Sequence, residues 1–290
     1  MAQRRREGSM SACELAGIVV EHLRLLRSVG GESQDPTARR EATEGLSEGF
    51  GFLAWLSWDM WEIGSAQRYY QAAVRLARES RHRTLVAYMI GSLAVFSAST
   101  GNAHRGLLFL EKARNALPNS SRHAVVDAWM SSTAAITHAA AGDEKAAWGH
   151  IDDAEEAVTS ISSDEQPPWP WVMRFDAAKL AGYRLTTAVN LGYPDLALEC
   201  VPAATTAQAR NHTAQYALTL LDQATAHSMK AEYEQSASVA LIALNVAAVK
   251  NSHRVVRAAW RTRQAIPAAV TCDAINQLDA RLHELDPIDI

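Results

Sequence analysis

Ala135-Ile-Thr-His-Ala-Ala-Ala-Gly142-Asp-Glu-Lys-Ala-Ala147-Trp-Gly-His-Ile151-Asp-Asp-Ala154 carries a spacing from which an architecture can be built. With Gly142 as the anchor, small residues stand at −7 (Ala135), +5 (Ala147) and +12 (Ala154), and Ile151 stands at +9. Gly101 repeats the pattern with Ala94, Gly106, Leu110 and Ala113, and adds Pro118 at +17. Gly192 repeats it with Ala197, Val201 and Ala204, although Leu185 holds the −7 position. Trp61 in the anchor role gives Ala54, Ala66, Tyr70 and Ala73; Ala231 gives Ala224, Ser236, Ala240 and Ala243. The anchors at 61, 101, 142, 192 and 231 are 40, 41, 50 and 39 residues apart. A small residue lets two antiparallel helices approach closely, and a glycine or polar pair turns the chain between them. An apolar residue four positions further on shares the helical face and fills the groove beside it.

Composition agrees with helices. The chain has 290 residues, 48% hydrophobic but only 7% aromatic, with 28 Lys+Arg against 32 Asp+Glu for a net charge of −4. Ala and Leu, strong helix formers, carry much of the apolar share, and 15 Gly with 9 Pro give little of the punctuation that hairpins of strands need. A disordered chain, a collagen-like repeat, a disulfide scaffold and a β-sandwich are excluded on these grounds. Cys13, Cys200 and Cys272 are far apart with no CxxC spacing, as expected of reduced cytoplasmic thiols. A pI near 6.2 argues against a general nucleic-acid binder. Arg4, Arg5 and Arg6 would suit a signal peptide, but Glu14, Glu21 and His22 follow before any apolar region develops. The uncharged stretch from Thr84 to Ala103 has the length of a bilayer span yet contains Ser92, Ser97, Ser99, Thr100 and Asn102. A helix buried on all sides is the preferred reading, and no membrane contact is expected.

The offset pattern resembles the tetratricopeptide repeat, a helix-turn-helix unit, here with a longer period. The expected fold is therefore all-α, a tetratricopeptide-like right-handed helical-hairpin solenoid of about five helix pairs plus terminal capping helices. The pairs fall near 41–62 with 65–80, 83–100 with 103–117, 121–141 with 144–160, 171–191 with 194–206, and 208–229 with 232–249. An amphipathic helix from Cys13 to Val29, ended by Gly30-Gly31, precedes them; helices over Arg254 to Ala265 and Ala268 to Leu285 follow. Residues 1–11 are expected to be disordered and 12–290 to form a single domain. The segment 161–170, with Pro167, Pro168 and Pro170, is expected to be an exposed loop between the third and fourth pairs, a candidate hinge or cleavage site.

Trp55-Leu-Ser-Trp58-Asp59, followed by Ala66-Gln-Arg-Tyr-Tyr-Gln-Ala-Ala-Val-Arg-Leu-Ala-Arg78, narrows the resemblance. It is similar to the C-terminal sensor region of actinobacterial helix-turn-helix regulators of the xenobiotic-response-element (Cro-like) type. The similarity extends upstream to His22-Leu-Arg-Leu-Leu-Arg27 and downstream to about Pro118. It implies a role in transcriptional regulation and a DNA-binding domain ahead of the repeats. Met1 to Ser11 is too short for such a domain, so the chain is expected to be the sensor part alone or a stand-alone relative, without direct DNA binding.

In such a solenoid, positions −13, −10, −6, −3 and −2 from each anchor face the concave groove. They hold Trp55, Trp58 and Asp59 in the first pair and Tyr88 in the second. The third offers Trp129 and Ser132, the fourth Lys179 and Asn190, and the fifth Thr225 and Met229. Aromatic anchors with a few polar groups suit a peptide, a protein segment or an amphipathic small molecule. The alternative for Trp55 and Trp58 is core packing against the first helix, and for Trp129 core and ligand readings weigh equally. His138 and His227, each four before an anchor, would converge on the inner surface or serve as hydrogen-bonded packing residues. No metal or cofactor is expected, and with no HExxH, GxSxG or phosphate loop the chain is not read as an enzyme.

Charge is uneven. Asp143, Glu144, Asp152, Asp153, Glu155, Glu156, Asp164 and Glu165 crowd the stretch after Gly142, whereas Lys250, Arg254, Arg257, Arg261 and Arg263 crowd a late helix. Arg254, Arg257 and Arg261 share one helical face. The basic face reads as a docking patch for an acidic partner or as a solvated surface, and contact between acidic and basic regions of two copies would give a homodimer. The function expected is a regulatory sensor or adaptor binding a peptide, protein or small signal in the concave groove. A constitutive scaffold without ligand switching, or an enzyme using inner-groove His and Asp residues, are the alternatives.

Overall fold

All five anchors adopt left-handed backbone: φ is 62° at Trp61, 90° at Gly101, 78° at Gly142, 81° at Gly192 and 59° at Ala231. A computed structural model shows this arrangement and describes residues 10–117, 123–162, 175–206, 214–250 and 252–285. At each anchor the next amide reaches back to the carbonyl four before the anchor. Glu62 donates to Ser57 at 2.7 Å, Asn102 to Ser97 at 2.8 Å, Asp143 to His138 at 3.0 Å, Tyr193 to Ala188 at 2.9 Å and Glu232 to His227 at 3.0 Å. This closure satisfies carbonyls that a helix end leaves open and sends the chain back along itself.

Two of the anchors bear side chains that resist a positive φ. Ala231 is exposed, so Ala231→Gly is expected to stabilise the protein by about 0.5–1 kcal/mol, read by denaturant unfolding. Gly142→Ala is expected to cost a similar amount.

Among the described residues there are thirteen α-helices and no strands. In chain order they are α1 (Ala12–Glu32), α2 (Pro36–Asp59), α3 (Ile63–Glu79), α4 (Arg83–Ser99) and α5 (Ala103–Ala116). They continue as α6 (Ala124–Ala140), α7 (Glu144–Thr159), α8 (Ala177–Leu191), α9 (Pro194–Thr206) and α10 (Ala214–Met229). The last three are α11 (Tyr233–Lys250), α12 (His253–Ala265) and α13 (Asp273–Leu285). The hairpins α2–α3, α4–α5, α6–α7, α8–α9 and α10–α11 are the pairs the anchors predict. Helix α1 packs on α2, and α13 packs on α11.

The small positions sit where helices touch. Ala66, Ala147 and Ala197 at +5, with Ala73, Ala113, Ala154, Ala204 and Ala243 at +12, are fully buried. At Gly106 an added Cβ would lie 2.9 Å from the Ala94 carbonyl oxygen and 3.0 Å from the Thr137 methyl. The −7 and +5 positions of that hairpin therefore meet backbone to backbone, which only a missing side chain allows.

Some boundaries differ from expectation. Helix α1 does not stop at Gly30-Gly31 but continues to Glu32, because Gly30 serves a close approach: its absent Cβ would fall 2.9 Å from Ala42 Cβ. Helix α2 begins at Pro36, where Asp35 accepts the Thr37 amide at 2.9 Å and proline occupies the first turn. Helix α13 begins at Asp273 rather than Ala268. Of the amino-terminal segment expected to be disordered, residues 1–9 lie outside the described residues, and Ser11 forms a capping box with Glu14. Pro118 and residues 163–170 of the expected loop also lie outside them.

The alternate helices α2, α4, α6, α8, α10 and α12 form an inner set in which each packs on the next, and α12 returns to pack on α2. Their contacts thus close into a cycle. Helix α4, which holds most of the uncharged stretch, is buried on nearly all sides, and no helix among the described residues is long and apolar enough to cross a membrane.

Candidate functional site

The cycle closes on Asp59. Ser252 caps α12 and donates its hydroxyl to Asp59 Oδ1 at 2.8 Å, although 193 residues separate the two. Arg254 Nε stands 3.5 Å from the same oxygen, and its guanidinium lies 4.4 Å from the Trp58 ring centre and 5.5 Å from that of Trp55. The Asp59 and Arg254 side chains are only 4% and 5% exposed. The first-pair candidates Trp55, Trp58 and Asp59 are therefore brought together, and what covers them is the chain's own α12. The basic face of that helix turns inward at Arg254, toward an acid of the same chain.

Tyr88 and Trp129 meet in a second place. Their ring centres are 5.1 Å apart, and Trp129 is hydrogen-bonded to Tyr183, whose phenol burial pushes well above its ordinary pKa. The Trp129 indole lies against Gly91, where an added Cβ would come within 2.6 Å of it. Phe175 stacks on Tyr183 at 5.9 Å, and Lys179 Nζ sits 5.2 Å from the Phe175 ring centre. Ser132 is fully buried beside them in α6. Asn190 is exposed at the end of α8 and belongs to neither group.

His138 and His227 are not brought together. His138 Nδ1 is 3.1 Å from Asp143 Oδ2, and His227 Nδ1 is 2.7 Å from Glu232 Oε2. In both hairpins the histidine at −4 meets the acid at +1, across the turn its own carbonyl closes. Part of the acidic stretch is likewise engaged within the chain. Glu144 accepts from Tyr193 at 2.6 Å, Glu155 pairs with Arg184 at 2.8 Å, and Asp153 stands 3.0 Å from His150.

A third inner group joins α8, α10 and α12. Thr186 donates to Asp222 Oδ2 at 2.6 Å, and the Thr225 and Thr262 hydroxyls are 3.1 Å apart. Burial pushes the Asp222 carboxyl up to about 6, against the opposing pull of the Thr186 hydrogen bond and the Arg261 charge. Arg257 and Arg261 follow Arg254 on one face of α12, and among the described residues neither makes an ion pair within 4.0 Å. Arg263 faces elsewhere, in a two-pronged pair with Asp279 at 2.6 and 3.0 Å. The spacing rule places Thr225 and Thr186 alike at −6, but Asp222, at −9, falls between the offsets it uses. A stripe from −13 through −9 to −6 is helical, so the signal was present in the register.

The raised pKa has a consequence for stability. Folded Asp222 keeps its proton until about pH 6, whereas in the unfolded chain it releases it near pH 4. The cost of charging it therefore grows between those values and is complete above them. Asp222→Asn, which preserves an acceptor for Thr186, is expected to stabilise the protein by about 1–2 kcal/mol at pH 8 and by nothing at pH 4. Thermal or urea unfolding at the two pH values checks this.

Helix hairpins in series, with an inner set of helices closed on itself, make this an all-α protein of paired helices. No family model matches the chain, and no curated protein matches it. Among solved structures, the crystal structure of BtubC (BKLC) from P. vanneervenii is similar over 87% of this chain and 93% of that one, with a TM-score of 0.49 and 17% sequence identity.

Proposed function

We propose that the chain is a recognition module and not an enzyme: a single tetratricopeptide-like right-handed solenoid of five helix pairs with terminal caps. It acts as a sensor or adaptor in transcriptional regulation. Its ligand is a peptide segment or small molecule bound on the inner face around Asp222, Arg257 and Arg261. The observation that carries this reading is Asp222 itself, a carboxylate retained where burial raises its pKa to about 6 and where the Arg261 charge acts on it, while Arg257 and Arg261 make no ion pair within 4.0 Å among the described residues. Groups kept at a cost to stability mark sites where function demands them. A ligand offering a donor to Asp222 and a carboxylate to the arginines would relieve that cost.

Such a ligand would also report its presence. Arg257 and Arg261 share their face with Arg254, which faces Asp59, so a ligand drawing α12 toward α10 biases the contact between α12 and α2. Differential affinity for the closed and opened cycle is the physical requirement for a switch.

Native mass spectrometry of protein purified gently from its source cells tests the reading. A co-purifying mass is expected on the wild type and is expected to be lost from an Arg257→Ala/Arg261→Ala variant. Retention by both, or binding of this chain to duplex DNA in a sequence-specific way at physiological salt, would overturn it.

A further inference from the structure

A groove of about 680 Å³ opens between α3 and α5, floored by α4. These helices carry none of the Asp222 group, so the groove is independent of the inner face. Its floor is apolar: Val74 from α3, Ile90 and Leu93 from α4, and Phe109 from α5. Its rim is cationic, with Arg75, Arg78, Arg105 and Lys112 against one carboxylate, Glu79. Glu79 stands 4.0 Å from Arg75 with both side chains more than half exposed, a geometry that neutralises little. The Arg105 and Lys112 charges hang 5.4 and 5.9 Å from the centre of the Phe109 ring, so their stems shade the apolar floor from water.

Dimensions decide what fits. The α3 residues that line the groove span 71 to 79 and those of α5 span 105 to 112, which at 1.5 Å per residue is about 12 Å of length. That is too short for a protein partner, which buries about 800 Å² on each side. The volume instead falls in the range of about 300–1,000 Å³ typical of small-molecule sites. We propose that this groove binds a small anionic amphiphile: a medium-chain carboxylate whose aliphatic body covers Val74, Ile90, Leu93 and Phe109 while its head group meets the rim cations. On binding, Arg105 and Lys112 exchange the Phe109 face for the carboxylate, a stronger partner for an exposed cation than a phenyl ring.

Calorimetric titration of the full chain with decanoate, and separately with decanol, provides the test. Decanoate is expected to bind about tenfold or more tightly than decanol at low salt, with the advantage shrinking as salt rises. Lys112→Glu, a change at an exposed position, is expected to weaken decanoate about tenfold and leave decanol unchanged. Val74→Trp, which fills the groove, is expected to abolish both. Equal affinity for the acid and the alcohol, unchanged decanoate binding in Lys112→Glu, or no binding of millimolar decanoate to the wild type would each overturn the proposal.

Discussion

Asp59→Ala is expected to destabilise the protein by about 3–5 kcal/mol, with the loss concentrated in α12. The substitution removes the carboxylate that accepts the Ser252 hydroxyl at 2.8 Å and faces Arg254 at 3.5 Å. Both charged side chains are almost wholly buried, so removing one leaves the other where water cannot compensate it. The contact that Arg254 keeps with Trp55 and Trp58 is a cation–π interaction worth about 1–2 kcal/mol, less than the lost carboxylate. Arg254→Met in the Asp59→Ala background should therefore recover much of the deficit, since an apolar chain of similar length on the two indoles carries no buried charge. Urea unfolding of the two single variants and the double variant gives the coupling directly. Hydrogen exchange adds the location: in Asp59→Ala the amides of α12 should lose protection while those of α6 keep theirs. A cost below about 1 kcal/mol would mean that α12 is held by its contacts with α10, α11 and α13.

Why the cycle should close through charge follows from what else α12 does. Its apolar side joins the last core cluster through Val255, Val256 and Ala259, and Arg254 turns toward α2, one of the inner helices. An apolar closure would give the same stability with less dependence on geometry. A charged one is sensitive to any other anion that enters, and in the proposed reading Arg257 and Arg261 would receive it. The expense of burying Asp59 and charging Asp222 is consistent with a surface selected for binding rather than for stability alone.

How far this could be read from the chain depends on the distance over which each signal acts. The turns were fully legible, because a hairpin is local: the anchors at Trp61 and Ala231 were assigned from offsets alone, and both hold the left-handed conformation of the glycine anchors. The close contact at Gly106 was legible for the same reason. The histidines illustrate the limit: the register makes His138 and His227 equivalent, but the offsets alone do not show that each meets the acid at +1. The Asp59–Arg254 contact spans about two thirds of the chain, and helical periodicity says which face a residue occupies, never which distant helix meets it. The groove between α3 and α5 was invisible for a different reason. Arg75 and Arg78 on one helix, and Arg105 and Lys112 on another, each look like an ordinary solvated face until packing sets them opposite each other.

Trp129→Ala is expected to cost a further kind of stability, about 3–5 kcal/mol, and to do so globally rather than at one end. The indole is 7% exposed in the core cluster shared by α4, α6 and α8, where it touches the Tyr88 ring, the Gly91 backbone and the Tyr183 hydroxyl. Removing it leaves a cavity that Gly91 cannot help to fill, and it strips Tyr183 of a hydrogen bond at a buried site. The two contributions separate in Trp129→Phe, which keeps much of the ring volume and loses only the indole N–H; that variant should cost about 1–2 kcal/mol. Near-ultraviolet circular dichroism should collapse in Trp129→Ala and persist in Trp129→Phe, while the far-ultraviolet helical signal is shared by both at low temperature. Ligand retention through Arg257 and Arg261 should survive Trp129→Phe, since the aromatic group shares only α8 with the Asp222 group. If instead Trp129→Ala unfolds at the wild-type denaturant midpoint and loses only a bound ligand, the indole is a binding residue and the core assignment fails.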